Sequence, residues 1–569
     1  MKTTIAKQVK AAMLVLVMGA GVIGGFAKMA EALTITSVDP EKGPVAGGQE
    51  VTITGDFSQD MKWKQISTGL DHTCAIASND QVYCWGWNVY GQLGDSTTTD
   101  RHTPVAVQLG ERPDLTVKQI TAGSAHTCAI ASNDQVYCWG WNIYGQLGDG
   151  TSGSGTNKST PVAVLLGDRP DLIVKQISAG TQRTCAIASN DQAFCWGVGY
   201  LGDGTNTNSS TPVAVLLGDR PNLTVKQISA GTIQACVIAS NDQAYCWGTN
   251  SNGLLGDGTT TNRYTPVAIL LGDRPNLTVK QISTAGDLPQ YTCAIASNNQ
   301  AYCWGANDKD QIGDGTTMFR YTPVAVELGD RPNLTVKQII TADDSACAIA
   351  SNDQAYCWGR NDFGQLGNGS STGPEICPSY LWACSTLPIA VQLGDRPNLI
   401  VKQISAGGGH TCAIASDDQI YCWGYNGDGQ LGNGTNTGPE TTCSLLLLAC
   451  STVPIAVDTS GLMVYTVVMD PGGTPAPCTD VTIAPNGKSL TCTTSAHIAG
   501  LVDVTVDDGV SAKTLENGYE YVKDDGGGSL IKDLLSPDTG IGKVVGLVVL
   551  GEVVFAVAGM AVFFKIRKE

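Results

Sequence analysis

The segment TCAIASNDQVYCWG (Thr73–Gly86) decides the fold, because the chain contains seven near-copies of it. Each copy ends in a Trp-Gly pair, and successive tryptophans lie 51 to 65 residues apart: Trp85, Trp139, Trp196, Trp247, Trp304, Trp358 and Trp423. A period of this length is typical of arrays built from one repeated supersecondary unit. Each unit contains four β-branched or aromatic runs, of the types VKQISAG, TCAIAS, QVYCWG and TPVAV, separated by Gly, Pro, Asn and Asp. The sequence therefore predicts four strands per unit.

The two cysteines of each copy predict a disulfide-bonded hairpin. Placing Cys74 opposite Cys84 leaves Ser78–Asp80 as a three-residue loop, and such loops end in a left-handed residue that Asp or Asn tolerates well. Opposed cysteines of an antiparallel pair lie within disulfide reach. Both faces of the hairpin are apolar, so we expect it to be buried on both sides, as between the blades of a propeller. The alternative is a metal site, although the spacing differs from that of common zinc sites.

All twenty cysteines can be paired by position, which leaves none as a nucleophile. The predicted pairs are Cys74–Cys84, Cys128–Cys138, Cys185–Cys195, Cys236–Cys246, Cys293–Cys303, Cys347–Cys357 and Cys412–Cys422 in the repeats, Cys377–Cys384 and Cys443–Cys450 in two insertions, and Cys478–Cys492 beyond the repeats. So many disulfides indicate an oxidising compartment outside the cytosol.

The phrase CWGxNxxGQLGDG, preceded by HTCAI, resembles the repeat of the regulator of chromosome condensation family. Trp85-Gly86 with Gly91–Gly94 carries the match, as does Trp358-Gly359 with Gly364–Gly367, whereas the third unit is shortened to WGVGYLGDG. The resemblance covers about 61–461 and implies an all-β fold, a seven-bladed β-propeller. The resemblance also implies guanine-nucleotide exchange on a nuclear GTPase. An exported chain could not perform this activity, because the partner is cytosolic or nuclear.

Residues 33–60 resemble the start of an IPT/TIG immunoglobulin-like domain, through Pro40, Gly43, Gly47-Gly48 and VTITG. The rest of that pattern occurs only after the repeats, in LTCTTSAHIAGLVDVTVDDG and in LENGYEYV, which ends at Val522. We therefore expect one small β-sandwich, made of 33–60 and 462–522, with the propeller inserted in a loop. Insertion suits a closed ring, since its two ends lie close together. The alternative is two unrelated fragments.

The two ends of the chain predict export and anchoring. Residues 1–32 combine early lysines, an apolar stretch and AEA, the layout of a cleaved signal peptide, with a retained membrane helix as the alternative. At the other end, a linker (523–535) precedes SPDTG (536–540), an apolar span expected to be a transmembrane helix (544–564) and a basic cytoplasmic tail (565–569).

This C-terminal order resembles the sorting signal of Gram-positive surface proteins, in which a sortase joins the Thr carboxyl to the cell wall. Pro537, Asp538, Thr539 and Gly540 match that signal, and Ser536 stands where the family has Leu. The resemblance implies sortase as a processing enzyme and a bacterial cell-surface location, anchored to the wall. The alternative is a plain membrane anchor. The formal net charge of −18 disfavours nucleic acid as a partner.

The connections on one face of the predicted ring differ between repeats, whereas SND and LGDRPNL on the opposite face are nearly constant. Variation confined to one face of a rigid frame predicts a binding surface there, with drift in exposed loops as the alternative. Two insertions, EICPSYLWAC and ETTCSLLLLAC, fall on the same face and either expose apolar residues or fold back over the blades. The candidate binding residues are His72, Trp87, His126, Trp141, Arg183, Gln234, Tyr291, Arg360, Trp382, His410 and Tyr425.

No catalytic motif emerges, and no cofactor is expected. The Asp-Gly turns of LGDG lack the regularly spaced oxygen ligands of a calcium loop, so we interpret them as turns. We expect a non-enzymatic adhesion or binding protein, displayed at the cell surface, whose partner is an extracellular protein or glycan. The alternatives are a wall-tethered inhibitor of a secreted hydrolase and a polysaccharide-active enzyme.

Overall fold

The computed structural model divides the chain into two compact units, Asp60–Met463 and the pair Met1–Gln59 with Val464–Glu569. All regular elements in the described residues are β-strands, in agreement with the predicted all-β fold of the domains. The described residues are 34–44, 46–56, 61–109, 115–166, 173–218, 222–271, 277–286, 290–328, 331, 333–372, 375–376, 383–393, 399–437, 439–443, 448–459, 462, 466–470, 476–483, 489–495, 500–507, 512–522, 553–557 and 560–564.

The unit Asp60–Met463 contains seven antiparallel sheets, one per repeat, which we call blades 1 to 7. The first strands are Trp63–Thr68, Val117–Ala122, Val174–Ala179, Val225–Ala230, Val279–Thr284, Val336–Thr341 and Val401–Ala406. The second strands are His72–Ala77, His126–Ala131, Arg183–Ala188, Gln234–Ala239, Tyr291–Ala296, Ser345–Ala350 and His410–Ala415.

The third and fourth strands of each blade follow in chain order, and the four strands of blades 1 to 5 are consecutive in the sequence. The third strands are Val82–Gly86, Val136–Gly140, Ala193–Gly197, Ala244–Gly248, Ala301–Gly305, Ala355–Arg360 and Ile420–Tyr425. The fourth strands are Arg101–Ala106, Lys158–Ala163, Ser209–Ala214, Arg263–Ala268, Arg320–Ala325, Ala383–Ala390 and Leu448–Ala456. Blades 6 and 7 each gain a fifth strand from their insertions, Glu375–Ile376 and Glu440–Cys443.

The predicted hairpin register is confirmed. Cys74 lies opposite Cys84, and Ile76 lies opposite Val82. Asp80 ends the loop in the left-handed region with a φ of 63°, which short polar side chains tolerate. The same loop position is left-handed in the other six blades, at Asp134, Asp191, Asp242, Asn299, Asp353 and Asp418.

Both faces of each hairpin are buried, as the alternation of apolar residues predicts. In blade 1, the face that carries Cys74 and Ile76 packs against Trp139 of blade 2. The opposite face, with Ala75 and Trp85, packs in one cluster with blade 7, which closes the ring. The result is a β-propeller in which each blade buries its neighbour.

The disulfides of the seven hairpins are confirmed, with Cα atoms 4.1 Å apart in each pair. Cys443–Cys450 and Cys478–Cys492 are also bonded. Cys384 is disulfide-bonded, and its predicted partner Cys377 lies outside the described residues. None of the described cysteines is free.

In the other unit, two sheets each combine strands from both ends of the chain. One sheet contains Thr34–Asp39, Glu50–Asp56, Ser489–Thr493 and Thr479–Ile483 in spatial order; the other contains Lys42–Pro44, Ala512–Val522, Gly500–Asp507, Thr466–Asp470 and Ala476–Pro477. Ile53 pairs with Leu490, and both side chains are buried. The two segments therefore form one folded unit, and its IPT/TIG identity stays a prediction.

The C-terminal apolar run differs from the expected transmembrane helix. Val553–Val557 and Met560–Phe564 form an antiparallel strand pair, in keeping with their valine and phenylalanine content, which favours strands. In the described part of the chain, no helix has the length and hydropathy needed to cross a membrane. The predicted signal peptide, the linker and the sorting motif Pro537–Gly540 lie outside the described residues.

Candidate binding face

Six of the candidate binding residues are interior side chains. His72, His126, Arg183, Gln234, Tyr291 and His410 are essentially inaccessible to solvent. Each begins the second strand of its blade, where it pairs with the Gly of the Trp-Gly pair. These residues are therefore not in the loops expected from the sequence. The expectation that these six side chains face a ligand is therefore corrected.

These buried residues join neighbouring blades. Nε2 of His72 lies 2.9 Å from the hydroxyl of Thr127 in the next blade. His126 makes the same contact with Thr184, and His410 makes it with Thr73 across the ring closure. Because variation at this position repacks an interface between blades, it does not indicate ligand recognition.

The sequence carried a partial signal for this role in the second residue of the second strand of the following blade, which is the residue that these buried side chains contact. In four blades that residue is Thr and the buried partner is His or Gln; Gln234 donates to Thr292, for example. Where the next blade has Ala235, the partner is Arg183, which instead donates to the carbonyls of Gly199 and Tyr200. Blade 6 departs from this pattern, because Ser345 precedes a blade that has Thr411.

Burial keeps the three histidines neutral. Desolvation lowers the pKa of His72, His126 and His410 to about 3 in each case. The pKa of Arg183 is lowered to about 9 by the same burial. Among the residues that the structure describes, no group of His, Cys, Asp or Glu has the arrangement of a metal site.

The remaining described candidates lie together on one face, which we call the long-loop face. It is formed by the connections between the third and fourth strands, immediately after each Trp-Gly pair. Trp87, Trp141, Arg360 and Tyr425 directly follow the Trp-Gly pairs of blades 1, 2, 6 and 7, and all four are half-buried. Arg360 and Tyr425 are the last residues of their third strands. Trp382 lies outside the described residues.

Aromatic residues three positions further on complete this surface. Trp87 contacts Tyr90 edge to face, with ring centroids 5.2 Å apart. Tyr90 stacks on Trp141 of the next blade at 5.8 Å, and Trp141 contacts Tyr144 at 5.6 Å. Rings held in such pairs are fixed in position while their outer edges remain accessible.

A second aromatic run repeats this geometry in blades 6 and 7. Phe363 contacts Tyr425 of the next blade at 5.4 Å. Asp428 occupies the position of Phe363 in blade 7 and separates the two runs. We call the six rings Phe363, Tyr425, Trp87, Tyr90, Trp141 and Tyr144 the aromatic ribbon.

The ribbon spans blades 6, 7, 1 and 2, and a separate pair, Tyr200 and Tyr264, stacks between blades 3 and 4 with centroids 5.1 Å apart. The first loop position holds Val198, Thr249 and Ala306 in blades 3, 4 and 5. Val89 and Ile143, which flank the ribbon, are 53% and 39% exposed. Tyr90, Tyr144 and Phe363 were not among the sequence candidates, although the recurrent phrase N-x-Tyr-Gly or N-x-Phe-Gly could have identified them.

The constancy of the opposite, hairpin face has structural causes. Lys64 of the first strand pairs with Asp80 of the hairpin loop, and five other blades repeat this Lys–Asp pair. The fifth blade substitutes a hydrogen bond from Lys280 to Asn299. In addition, Gln65 bonds both the N–H and the carbonyl of Ile120 in the next blade. These contacts explain the repeated VKQI and SND.

The aspartates of the LGDG turns accept hydrogen bonds from nearby residues of the same chain. Asp257 accepts hydrogen bonds from Arg263 and Thr259, and Asp314 accepts them from Arg320 and Thr316. Asp149 and Asp203 accept from Thr151 and Thr205, respectively. These bonds fit the interpretation of the segments as turns.

Carboxylates at the junction of blades 7 and 1 lie beside the ribbon. Burial, together with the nearby charge of Asp428, raises the pKa of Asp71 to about 7. Burial also raises the pKa of Asp428, with a further contribution from Asp100. The pKa of the Tyr425 hydroxyl is raised by burial and by both Asp428 and Asp71. The site therefore concentrates negative charge among aromatic rings.

Comparisons with known proteins agree with this architecture. The RCC1-like domain matches residues 113–461, and the regulator of chromosome condensation (RCC1) repeat matches residues 79–130 and 63–92. The chain is 28% identical over 310 residues to the ultraviolet-B receptor UVR8 of Arabidopsis thaliana, covering 54% of this chain and 67% of UVR8. It is 25% identical over 371 residues to the regulator of chromosome condensation of Mus musculus, covering 62% and 82%.

Two further comparisons concern a much longer protein and a solved structure. The chain is 26% identical over 374 residues to the E3 ubiquitin-protein ligase HERC2 of Homo sapiens but spans only 7% of its length. Prp20p of Saccharomyces cerevisiae, studied for its binding to Gsp1p and histones, superposes with a TM-score of 0.56 at 18% identity. That superposition covers 76% of this chain and 93% of Prp20p.

Proposed function

Since this chain belongs to the RCC1-like domain family, we propose that it is a non-enzymatic binding protein that holds its partner on the aromatic ribbon. The observation that carries the proposal is the set of ring contacts that runs across blades 6 and 7 and across blades 1 and 2. Among the described residues, blades 3 and 4 hold only one such pair, Tyr200 stacked on Tyr264. Large half-exposed aromatic clusters of this kind are typical of partner sites.

The ribbon is suited to binding because its rings are already fixed. Each ring contacts a neighbour in its own blade or the next, so ordering it on binding costs little side-chain entropy. The connections that carry the rings are also held rigidly: Asn88 accepts the Leu93 N–H and donates to Asp95. Asn142 accepts the Leu147 N–H in the same way. The partner would meet a preformed surface.

We propose an extracellular protein or glycan as the partner. The paired cysteines of the described residues support an oxidising location, and the sequence of both termini supports export and attachment at a bacterial surface. Wall attachment through Thr539 by a sortase remains part of this proposal. A wall-tethered inhibitor of a secreted hydrolase would use the same face.

Polysaccharide hydrolysis is the second candidate. It is favoured by the presence of two neighbouring carboxyl groups, Asp71 and Asp428, of which Asp71 has a pKa raised to about 7 by burial and by the charge of Asp428, since glycoside hydrolases use a pair of carboxyl groups. Turnover assays on bound glycans separate this candidate from simple binding. Asp71→Asn would abolish turnover if Asp71 were the acid.

The proposal is tested with Trp87→Ala/Trp141→Ala in the full-length chain, screened against arrays of glycans and of secreted proteins. We expect the double variant to lose capture of the ligand that the natural chain selects. The matched control is Leu165→Ala/Leu216→Ala, which removes two apolar side chains that are 50% and 49% exposed. Equal capture by both double variants would contradict a role for the ribbon.

A further inference from the structure

Blade 6 shows how this fold accommodates a guanidinium on the long-loop face. Arg360 lies over the ring of Phe363, with Cζ 4.7 Å from the centroid. Its Nη1 donates to Asp344 at 2.8 Å, and its Nη2 donates to Asp362 at 2.8 Å. A planar cation between an aromatic face and two carboxylates combines cation–π attraction with charge-assisted hydrogen bonds.

Blade 1 repeats the carboxylate of this arrangement without the arginine. The N–H of Arg360 donates to the carbonyl of Asp344, and the N–H of Trp87 donates to the carbonyl of Asp71, each at 2.9 Å. Asp71 is therefore the counterpart of Asp344, and Trp87 replaces the arginine. The other five blades have Ala125, Gln182, Ile233, Gln290 and Gly409 at this position, so the carboxylate is particular to blades 1 and 6.

A second carboxylate and aromatic rings surround Asp71. Asp428 comes from the adjoining loop of blade 7 and raises the pKa of Asp71 through its charge. Tyr425 is close enough to both carboxylates for each to raise the pKa of its hydroxyl. Asp71 accepts one long side-chain hydrogen bond, 3.4 Å from Nε2 of Gln430. In the described part of the chain, neither Asp71 nor Asp428 has a lysine or arginine ion partner.

We propose that Asp71, Asp428 and the adjoining rings of Tyr425 and Trp87 form a site for an arginine side chain of a protein partner. This inference rests on the proposed function and specifies the chemistry that the ribbon binds. The partner's guanidinium would pair with Asp71 as Arg360 pairs with Asp344 in blade 6, although it would enter from outside the chain because Trp87 stands at the position of Arg360. Arginine fits better than lysine, because a planar fork can bond two carboxylates while stacking on a ring.

Charge complementarity selects this occupant over a neutral sugar. Two half-buried carboxylates next to each other repel, and a cation between them removes that cost, whereas a neutral ligand leaves it. Asp100 adds negative charge near Asp428, and His102 and Tyr425 are the other titratable groups that face the pair. Because a bound guanidinium favours the ionised form of Asp71, affinity should rise as the pH increases through about 7.

The test uses the full-length chain and three short capped peptides that differ in one residue: arginine, lysine or citrulline. Binding is measured by saturation-transfer difference NMR at pH 8 and pH 5.5. We expect the arginine peptide to bind at least about tenfold more tightly than the neutral citrulline peptide. We also expect its affinity to fall at pH 5.5. Equal binding of the arginine and citrulline peptides would overturn the proposal.

Two variants locate the site. Asp71→Asn, which is nearly isosteric, should reduce arginine-peptide affinity about tenfold or more. Trp87→Arg should also abolish it, because the chain would then supply its own guanidinium as blade 6 does. Thermal unfolding confirms that each variant is folded. Unchanged affinity in Asp71→Asn would overturn the proposal.

The same variants separate this inference from the proposed function. If Asp71→Asn still captures the ligand found on the arrays but Trp87→Ala/Trp141→Ala does not, the ribbon is the binding face and the arginine site is wrong. If the double variant also captures the ligand, the proposed function is wrong as well.

Discussion

Gly94 of blade 1 lies against the indole of Trp139 in blade 2: a Cβ added to Gly94 would be 2.7 Å from Trp139 Nε1. The same contact joins Gly148 to Trp196, and Gly432 to Trp85 across the ring closure. The Gly-Gln-Leu-Gly phrase of one blade and the Trp-Gly pair of the next are thus two halves of one interface. Their joint repetition along the sequence follows from this packing.

Gly94→Ala should therefore destabilise the propeller by about 2–4 kcal/mol, from overpacking added to left-handed backbone strain. Gly94 has a φ of +71°. The matched control is Gly153→Ala, because Gly153 has a φ of +99° and no atom within 4 Å of the added Cβ. In this control only backbone strain should lower the free energy of unfolding, by about 1 kcal/mol. Denaturant unfolding of both variants measures the difference, and equal losses would show that the indole contact is unimportant.

The buried histidines should make the propeller sensitive to acid. The fold lowers the pKa of His126 to about 3, so its neutral form is favoured. This contribution to stability is complete above the unfolded pKa of about 6.5 and is lost as the pH falls toward 3, with a slope of about 1.4 kcal/mol per pH unit. His126→Gln should reduce the steepness of the pH dependence, since Gln234 makes the same contact in blade 4.

The control for this experiment keeps the histidine and removes its partner. Thr184→Val eliminates the hydroxyl that lies 2.9 Å from His126 Nε2. It should lower stability at every pH and leave the pH slope unchanged. If His126→Gln retains the full slope in thermal scans from pH 7.5 to 4, the histidine does not carry the acid sensitivity.

The hairpin disulfides should be oxidised and stabilising. Peptide mapping under non-reducing conditions is expected to recover Cys74–Cys84 and its six counterparts, together with Cys377–Cys384. Cys128→Ala/Cys138→Ala should cost about 2–3 kcal/mol, because the bridge closes a short loop in the unfolded chain. Free thiols at most hairpin positions would contradict both the structure and the proposed extracellular location.

The hairpin was predictable from sequence because its constraints are local. The spacing of Cys74 and Cys84, with a loop ending at Asp80, leaves one register that satisfies the disulfide and the left-handed residue together. The role of His72 was not predictable in this way. Its contact is with Thr127, a residue of another repeat, and only the packing of blades shows that the position is interior.

The candidate site was predictable in part. Trp87 and Trp141 stand out as large residues at a variable loop position, whereas Tyr90 matters because it stacks on Trp141 across a blade boundary. The equivalence of Asp71 and Asp344 is visible in the sequence, since each lies three residues before the first hairpin cysteine. The contact of Asp344 with Arg360 needed the structure. Contacts between repeats are long-range in sequence, and local patterns do not encode them.

The junction of blades 7 and 1 should be where the ring opens first. Each blade consists of one repeat, so no strand is exchanged between the first and last blades. Closure therefore depends on non-covalent contacts, which include a backbone hydrogen bond from the Trp63 N–H to the carbonyl of Asp418 at 3.0 Å. Among the side-chain contacts, Gln403 Oε1 accepts from the Ile66 N–H at 3.1 Å, and Ser405 Oγ accepts from the Thr68 N–H at 3.0 Å. The other junctions have the equivalent glutamine bond and a covalent connection, and all of them except that of blades 6 and 7, which has Ile340, have the equivalent hydroxyl bond.

Gln403→Leu/Ser405→Ala should therefore increase opening at the seam more than Gln119→Leu/Thr121→Ala does at the junction of blades 2 and 3. The two double variants are matched, because Gln119 and Thr121 accept from the N–H groups of Ile177 and Ala179. Each variant leaves two buried N–H groups without partners, at a cost of roughly 1–3 kcal/mol per group. At the inner junction the chain connection keeps the blades close, so the bonds around the substituted residues can re-form, whereas at the seam only non-covalent contacts, such as that of His410 with Thr73, oppose separation. Hydrogen exchange followed by mass spectrometry should show faster exchange in Trp63–Thr68 for the seam variant, and similar exchange in both variants would mean that packing alone closes the ring.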